Sequence, residues 1–361
     1  MSTCFENIIK ENAREYYTTG EQKLSDEVFD ALVEKVKESN PDSDILDSTG
    51  WGYKPDSTDK VKHKYCHVGS LSKVKTVADL LHKLNTEYVN VSAKLDGISC
   101  VLYFKQGKLD KALTRGDGTY GIDITNKLHY VKGFTYEIVD KTFTGAVRGE
   151  IFMTPMDYDK FKLKYPDAKN ARNSTAGLIN SNEDTVSPED YGFMSLYVYT
   201  VVASEKQMSL DVTNTYTLYK WLELNFDFVA PHTEINVNED AFLKLKEEYE
   251  NQVTIDGLVI TDTTVTFDEQ SKCFNYNQVA WKFQDEVKIA VVKCIEWTMS
   301  KHNAYIPVVV FEEPIELEGT QVQRATGYNA KWIKDMKIVS GSIVAVRKAN
   351  MIIPQIIEVI K

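Results

Sequence analysis

Lys94 opens the tetrapeptide Lys94-Leu95-Asp96-Gly97, which ends one apolar run and begins another. A lysine placed there has a chemical use. An ammonium whose pKa is pulled down from about 10.4 by burial or a neighbouring cation becomes an amine nucleophile. Such a lysine needs companions, and they follow in order: Thr114-Arg115-Gly116-Asp117-Gly118, Val147-Arg148-Gly149-Glu150, Thr254-Ile255-Asp256-Gly257 and Ala280-Trp281-Lys282-Phe283. Arg115 offers a second positive charge near Lys94 or a grip on a phosphate. Glu150 offers an acceptor for a ribose hydroxyl, and Asp256 a second carboxylate. Lys282 lies between aromatic and apolar residues, where a cation calls for an anionic partner. Taken singly, Lys-x-Asp-Gly recurs by chance and reads as a surface turn; the ordered set is what points to covalent catalysis.

The elements that must position these residues are legible in the hydrophobic pattern. Val89, Val91 and Ala93 alternate, Gly97 breaks the run, and residues 98–104 form a second strand, closed by Gln106-Gly107 and answered by 109–113 as a hairpin. Strand patterns recur at 143–152, 193–202, 253–261, 279–283 and 287–297, with a helical stretch at 241–249 between them. This predicts an α+β fold with antiparallel sheet. After about residue 287 short strands dominate, at 308–311, 343–346 and 352–360, and suit a small closed β-barrel. At the other end, apolar positions 28, 29, 32, 33 and 36 share one helical face, with Ser25 or Asp26 as the N-cap and Asn40-Pro41-Asp42-Ser43 as the stop. Residues 43–66 are polar and aperiodic, the mark of a linker or of an arm lying on a neighbour.

Composition bounds the function. The 361 residues suit two or three compact units, and 43% hydrophobic with 26% charged residues is a globular balance. No apolar run reaches the roughly 20 residues of a bilayer span. The start, Met1-Ser2-Thr3-Cys4-Phe5-Glu6, lacks a secretory signal, so a cytoplasmic location without membrane contact is expected. Five cysteines, at 4, 66, 100, 273 and 294, never take Cys-x-x-Cys spacing, which argues for a reducing compartment and against structural zinc. A net charge of -11 excludes a generic polyanion binder, so nucleic acid would need a local basic surface. Candidates are Lys60-Val61-Lys62-His63-Lys64 and the later group Arg324, Lys331, Lys334, Lys337, Arg347 and Lys348; each taken alone reads as a solvated face.

The ordered motifs resemble those of the covalent nucleotidyltransferases, and most closely the NAD-dependent DNA ligases. The resemblance runs through Asn170-Ala171-Arg172-Asn173-Ser174-Thr175-Ala176-Gly177 into Val322-Gln323-Arg324-Ala325-Thr326 and Val346-Arg347-Lys348-Ala349-Asn350-Met351-Ile352-Ile353-Pro354-Gln355. It implies an N-terminal helical segment (1–70) that grips nicotinamide mononucleotide, an ATP-grasp-like nucleotidyltransferase domain (71–286) and an OB-fold domain (287–361). It further implies a lysine-AMP intermediate on Lys94, a catalytic set of Lys94, Asp96, Arg115, Asp256 and Lys282, and NAD with Mg2+ as cofactors. No protein motif holds the metal directly; phosphates would carry it near Glu150 or Asp256. Nucleotide contacts carried over are Tyr16, Tyr17, Asp26, Phe29, Asp30, Ser70, Leu71, Ser92, Arg172 and Tyr197, with the adenine stacked on Tyr197. Nicked duplex DNA would meet Lys301, Arg324, Arg347 and Lys348, and the enzyme is expected to be a monomer.

The first seventy residues, together with a single lysine in Trp281-Lys282-Phe283, favour NAD over ATP in this resemblance. Several positions depart from the family. Tyr17 stands for histidine, Phe29 for tyrosine, Ser92 for an adenine-contacting glutamate and Thr261 for a lysine. The sequence stops after the barrel, like compact viral ligases, where bacterial relatives continue into zinc, helix-hairpin-helix and BRCT modules. An ATP-using DNA or RNA ligase and a non-catalytic nick-binding module remain the alternatives.

Overall fold

The computed structural model describes residues 2–19, 23–47, 60–65, 67–69, 71–74, 76–84, 86–168, 170–181, 186–205, 212–281, 287–299, 305–317, 320–349 and 353–361. In chain order its elements are α1 (Ser2–Thr19), α2 (Asp26–Ser39), α3 (Asp44–Asp47), β1 (Lys60–Lys62), β2 (Ser72–Val74), α4 (Val77–Leu84), β3 (Tyr88–Leu95), β4 (Ile98–Lys105), β5 (Lys108–Thr114), β6 (Tyr120–Ile122), β7 (Gly145–Phe152), α5 (Pro155–Lys164) and α6 (Ala171–Asn180). There follow α7 (Pro188–Tyr191), β8 (Ser195–Ser204), α8 (Thr215–Asn225), β9 (His232–Asn236), α9 (Glu239–Glu250), β10 (Ile255–Asp268), β11 (Cys273–Trp281), β12 (Lys288–Met299), β13 (Tyr305–Leu317), β14 (Thr320–Thr326), α10 (Ala330–Asp335), β15 (Ile343–Ala349) and β16 (Ile353–Val359). No helix among the described residues is long and apolar enough to cross a membrane.

Two compact units result. One joins Met1–Tyr16 and Gln22–Lys54 with Gln284–Lys361; the other is Tyr17–Glu21 with Pro55–Phe283. In the first, the helical face read from the sequence is real: the Ser25 hydroxyl caps α2 by accepting the Val28 N–H, and Val28, Leu32 and Val36 are fully buried. Their partners lie far away in sequence. Phe5, Ile8 and Ile9 of α1 and the inner face of α2 form one core with Ile289 of β12 and with Ile343 and Ala345 of β15. Each fully buried Val, Leu or Ile contributes about 1.5–3 kcal/mol relative to exposure. The helices are therefore not a free-standing segment but one body with the C-terminal strands. Those strands pair in the order β12-β13-β14-β16-β15, with β15 returning to β12. They are longer than their apolar runs suggested, and β14 is an additional strand, because ladder hydrogen bonds extend past the residues that reach the core.

In the second unit the antiparallel order is β5-β4-β7-β8-β11-β10-β3-β9, with β2 alongside β11. The expected hairpin is β4–β5. Its two-residue turn, Gln106-Gly107, takes positive φ at both positions (51° and 75°), which glycine tolerates best. Strands β3 and β4 are adjacent in sequence but lie in different halves of the sheet, joined at β8 and β11 by the single pair Ala203↔Cys273. One half packs α4 and α9 over β3 and β10 through Leu80, Phe242, Val91 and Leu258. The other packs α8 over β4, β7 and β8 through Leu102, Val147, Val198 and Trp221. Helices α5, α6 and α8 gave no clear sequence signal. Helix α8, for example, buries Thr215 and Asn225 beside its apolar residues, which blurs a 3.6-residue stripe.

Within residues 43–66, β1 pairs antiparallel with β6, so part of this polar stretch is an arm held by a ladder. The basic run there is not simply a solvated face. His63 is buried, and Lys64 is paired with Glu205 at 2.7 Å.

Candidate active site

Lys94 occupies the penultimate position of β3, opposite Gly257 of β10. This register brings its ammonium against the Asp256 carboxylate, with Nζ at 2.7 Å from Oδ1 and 2.8 Å from Oδ2. Both side chains are mostly withdrawn from water, at 25% and 13% exposure, and a charge-assisted pair in such a setting fixes the amine in direction. The next residues carry the chain from one half-sheet to the other. Asp96 donates its N–H to the Thr254 carbonyl at 3.0 Å and accepts from Arg172 at 3.2 Å. Arg172 reaches it from the first turn of α6, whose N-cap Asn170 accepts the Asn173 N–H at 2.7 Å. Gly97 has no alternative: a Cβ there would stand 2.2 Å from the Ile151 carbonyl oxygen.

The opposite half-sheet contributes the remaining groups by register. Ser99 of β4 faces Glu150 of β7, and Glu150 faces Tyr197 of β8. Arg148 Nε donates to Ser99 Oγ at 3.0 Å, and Ser99 Oγ lies 3.0 Å from the Tyr199 hydroxyl. The Arg115 N–H donates to the Ser99 carbonyl at 2.7 Å, so the glycine-rich loop after β5 is tied to the same strand. Burial pushes the Glu150 carboxyl up to about 7, and the charges of Arg148, Lys94, Arg172 and Arg115 work against that rise. All four cations therefore lie within electrostatic reach of one carboxyl. Tyr197 packs edge-tilted against Phe152 and Phe228, at ring centroid distances of 5.2 and 4.9 Å, and burial raises its phenol pKa. The donor set suits an anion beside a hydroxyl-bearing ring, which is the chemistry of a nucleotide phosphate next to its ribose.

Of the residues expected from the sequence, Lys94, Asp96, Arg115, Glu150, Arg172, Tyr197 and Asp256 lie in this one unit, and Leu71 lies just before β2. Ser70, Lys282 and Lys301 lie outside the described residues, as do the side chains of Tyr16, Tyr17 and Asp26. Phe29 and Asp30 sit half-buried on α2, where Phe29 packs on the core shared with β12 and β15. The Ser92 hydroxyl is buried and bonded to the Tyr219 phenol, whose ring stacks on His232 at 3.7 Å, so it is already engaged within the protein. Thr261 is buried as well and accepts from Gln278 at 3.1 Å. It lies four residues along β10 from Gly257, a run of about 13 Å. Arg324 pairs with Glu296 at 3.2 Å, Arg347 is exposed, and Lys348 is buried, which removes Lys348 from an exposed basic surface. Sequence reasoning assigned no role to Arg148 or Tyr199. Arg148 stood in plain view within Val147-Arg148-Gly149-Glu150, but only strand register shows that it and Glu150 meet Ser99 and Tyr199.

Two family models cover nearly all of this arrangement. The NAD-dependent DNA ligase adenylation domain matches residues 70–284, and the NAD-dependent DNA ligase OB-fold domain matches residues 289–361. The chain belongs to the NAD-dependent DNA ligase family. A DNA ligase of Acanthamoeba polyphaga mimivirus is 32% identical over all of this chain and 55% of its own length. One from Ruminiclostridium cellulolyticum is 31% identical over 97% of this chain and 55% of its own length, and one from Lachnoclostridium phytofermentans is 28% identical over 99% and 56%. The chain thus spans a little over half the length of these relatives.

Proposed function

We propose that this protein is an NAD-dependent DNA ligase that seals nicks between a 3'-hydroxyl and a 5'-phosphate through AMP carried on Lys94. Support comes above all from the Lys94–Asp256 pair at 2.7 Å, in the same unit as a carboxyl whose charge is felt by Lys94, Arg115, Arg148 and Arg172. In this reading Arg115, with Lys282, neutralises the α-phosphate of NAD, Glu150 accepts a ribose hydroxyl and the adenine lies on Tyr197. The Lys94 ammonium first gives one proton to water, and the nitrogen lone pair so freed forms a bond to the α-phosphorus while the bond to the pyrophosphate bridging oxygen breaks. Nicotinamide mononucleotide leaves with that electron pair, and the second proton of the amine passes to water. Asp256 aims the amine and offsets its charge before attack. Mg2+, held by phosphate oxygens, would offset charge as it builds in the transition state.

The C-terminal strands form the OB barrel in this reading and meet duplex DNA through Arg347 and Arg324, with Lys301 as a further basic contact. The N-terminal helices hold the nicotinamide mononucleotide half, and the protein acts as a monomer in the cytoplasm. Intact mass after incubation with Mg2+ and either NAD or ATP tests the proposal. A gain of one AMP from NAD, lost in Lys94→Ala, is the expected result. A gain from ATP alone overturns the cofactor, and no gain on protein first freed of bound AMP overturns the enzyme reading.

A further inference from the structure

The buried imidazole of His63 has no part in the chemistry above, yet it touches the loop that carries Arg115. Its Nε2 lies 3.1 Å from the Arg115 carbonyl oxygen and its Nδ1 lies 2.7 Å from the Tyr103 hydroxyl. A carbonyl only accepts, so Nε2 carries the proton and Nδ1 accepts from Tyr103; the phenol oxygen in turn accepts the Lys64 N–H at 3.4 Å. This fixes one neutral tautomer, and burial, which lowers the His63 pKa, acts in the same direction. The contact is one of several between the 60–69 arm and the loop. The His63 N–H donates to Thr119 O at 2.9 Å, the Val68 N–H donates to Gly118 O at 3.0 Å, β1 pairs with β6, and Arg148 reaches the Gly69 carbonyl at 3.2 Å. The loop itself is tight. Gly116 and Gly118 have φ of 54° and 89°, and a Cβ on Gly121 would stand 3.3 Å from His63 Nε2.

We infer that His63 is the positioning residue for Arg115, fixing its carbonyl, and so the aim of its side chain, through a hydrogen-bond chain that starts at Tyr103 of β4. The Arg115 backbone is then held by Ser99 through its N–H, and its carbonyl, which already accepts the Gly118 N–H at 3.0 Å within the turn, takes a second donor from His63. With both its N–H and its carbonyl held, its guanidinium has a narrow cone in which to meet an anion. The inference rests on Arg115 serving the α-phosphate.

The test follows the rate of AMP attachment to the full chain from NAD and Mg2+ by intact mass, in His63→Leu, His63→Gln, Tyr103→Phe, Arg115→Ala and the His63→Leu/Arg115→Ala double variant. Intact mass accumulates over hours, so rates far below wild type are still read. Loss of the positioning bond is expected to slow His63→Leu about tenfold, while His63→Gln, which keeps a donor toward the carbonyl, recovers most of the rate. Tyr103→Phe leaves the fold's packing intact and frees the imidazole to change tautomer, so it slows the step by a smaller factor. In the Arg115→Ala background, removing His63 should cost nothing further. Equal fractional losses with and without Arg115, or a wild-type rate in His63→Leu and Tyr103→Phe, overturn the positioning role. A wild-type rate in Arg115→Ala refutes the reading of Arg115 itself, which separates the two failures.

Discussion

Burial of the Glu150 carboxyl opposes the fold, and Glu150→Gln should expose that cost. The carboxyl titrates at about 7 in the folded chain against 4.5 for a free side chain. Below pH about 4.5 it is protonated in both states and contributes nothing to the pH dependence. Between about 4.5 and 7 the unfolded chain ionises while the folded chain holds its proton, so stability falls as pH rises; above about 7 the loss is constant. At about 1.4 kcal/mol per pH unit that interval amounts to about 3.5 kcal/mol, an upper figure because the residue keeps a partly exposed edge where water screens its charge. The isosteric Gln removes the ionisation without opening a cavity. Urea unfolding of nucleotide-free protein should therefore show the variant about 1–3 kcal/mol more stable than wild type at pH 8, with the gap closing by pH 4.5. The same variant should take up AMP more slowly, since a ribose hydroxyl loses a charged acceptor. A gap of the same size at both pH values, or a variant less stable at pH 8, would refute the argument that burial of this carboxyl opposes folding.

Asp256→Asn removes the charge that holds the Lys94 ammonium at 2.7 Å; AMP attachment followed by intact mass should slow by about tenfold or more, with little change in the melting temperature. Gly97→Ala drives a methyl group to 2.2 Å from the Ile151 carbonyl, so thermal unfolding should report a loss of about 2–4 kcal/mol, and wild-type stability would contradict the close approach.

The chain's own sequence was enough to single out Lys94 and several residues that the fold brings near it, because such positions are written in short local words. Lys94-Leu95-Asp96-Gly97, the Arg115 loop and Asp256 each sit at a strand end or a glycine turn, and turn chemistry is legible without tertiary information; Glu150, inside β7, was marked by its charge in an apolar run. The cap of α2 at Ser25, its buried face at 28, 32 and 36, and the β4–β5 hairpin were legible for the same reason: each is set by residues a few positions apart. What lies across the fold was not. Nothing near Lys94 in sequence says that Asp256, 162 residues later, closes on its ammonium, since strand register is settled by the whole pattern of packing. Nor could the periodicity of α1 and α2 name its partner; any apolar surface satisfies a stripe, and here the surface comes from β12 and β15. The buried states of His63, Ser92, Thr261 and Lys348 belong to the same class. Side chains that can be wet or dry, charged or neutral, take that character from the neighbours that tertiary structure brings to them.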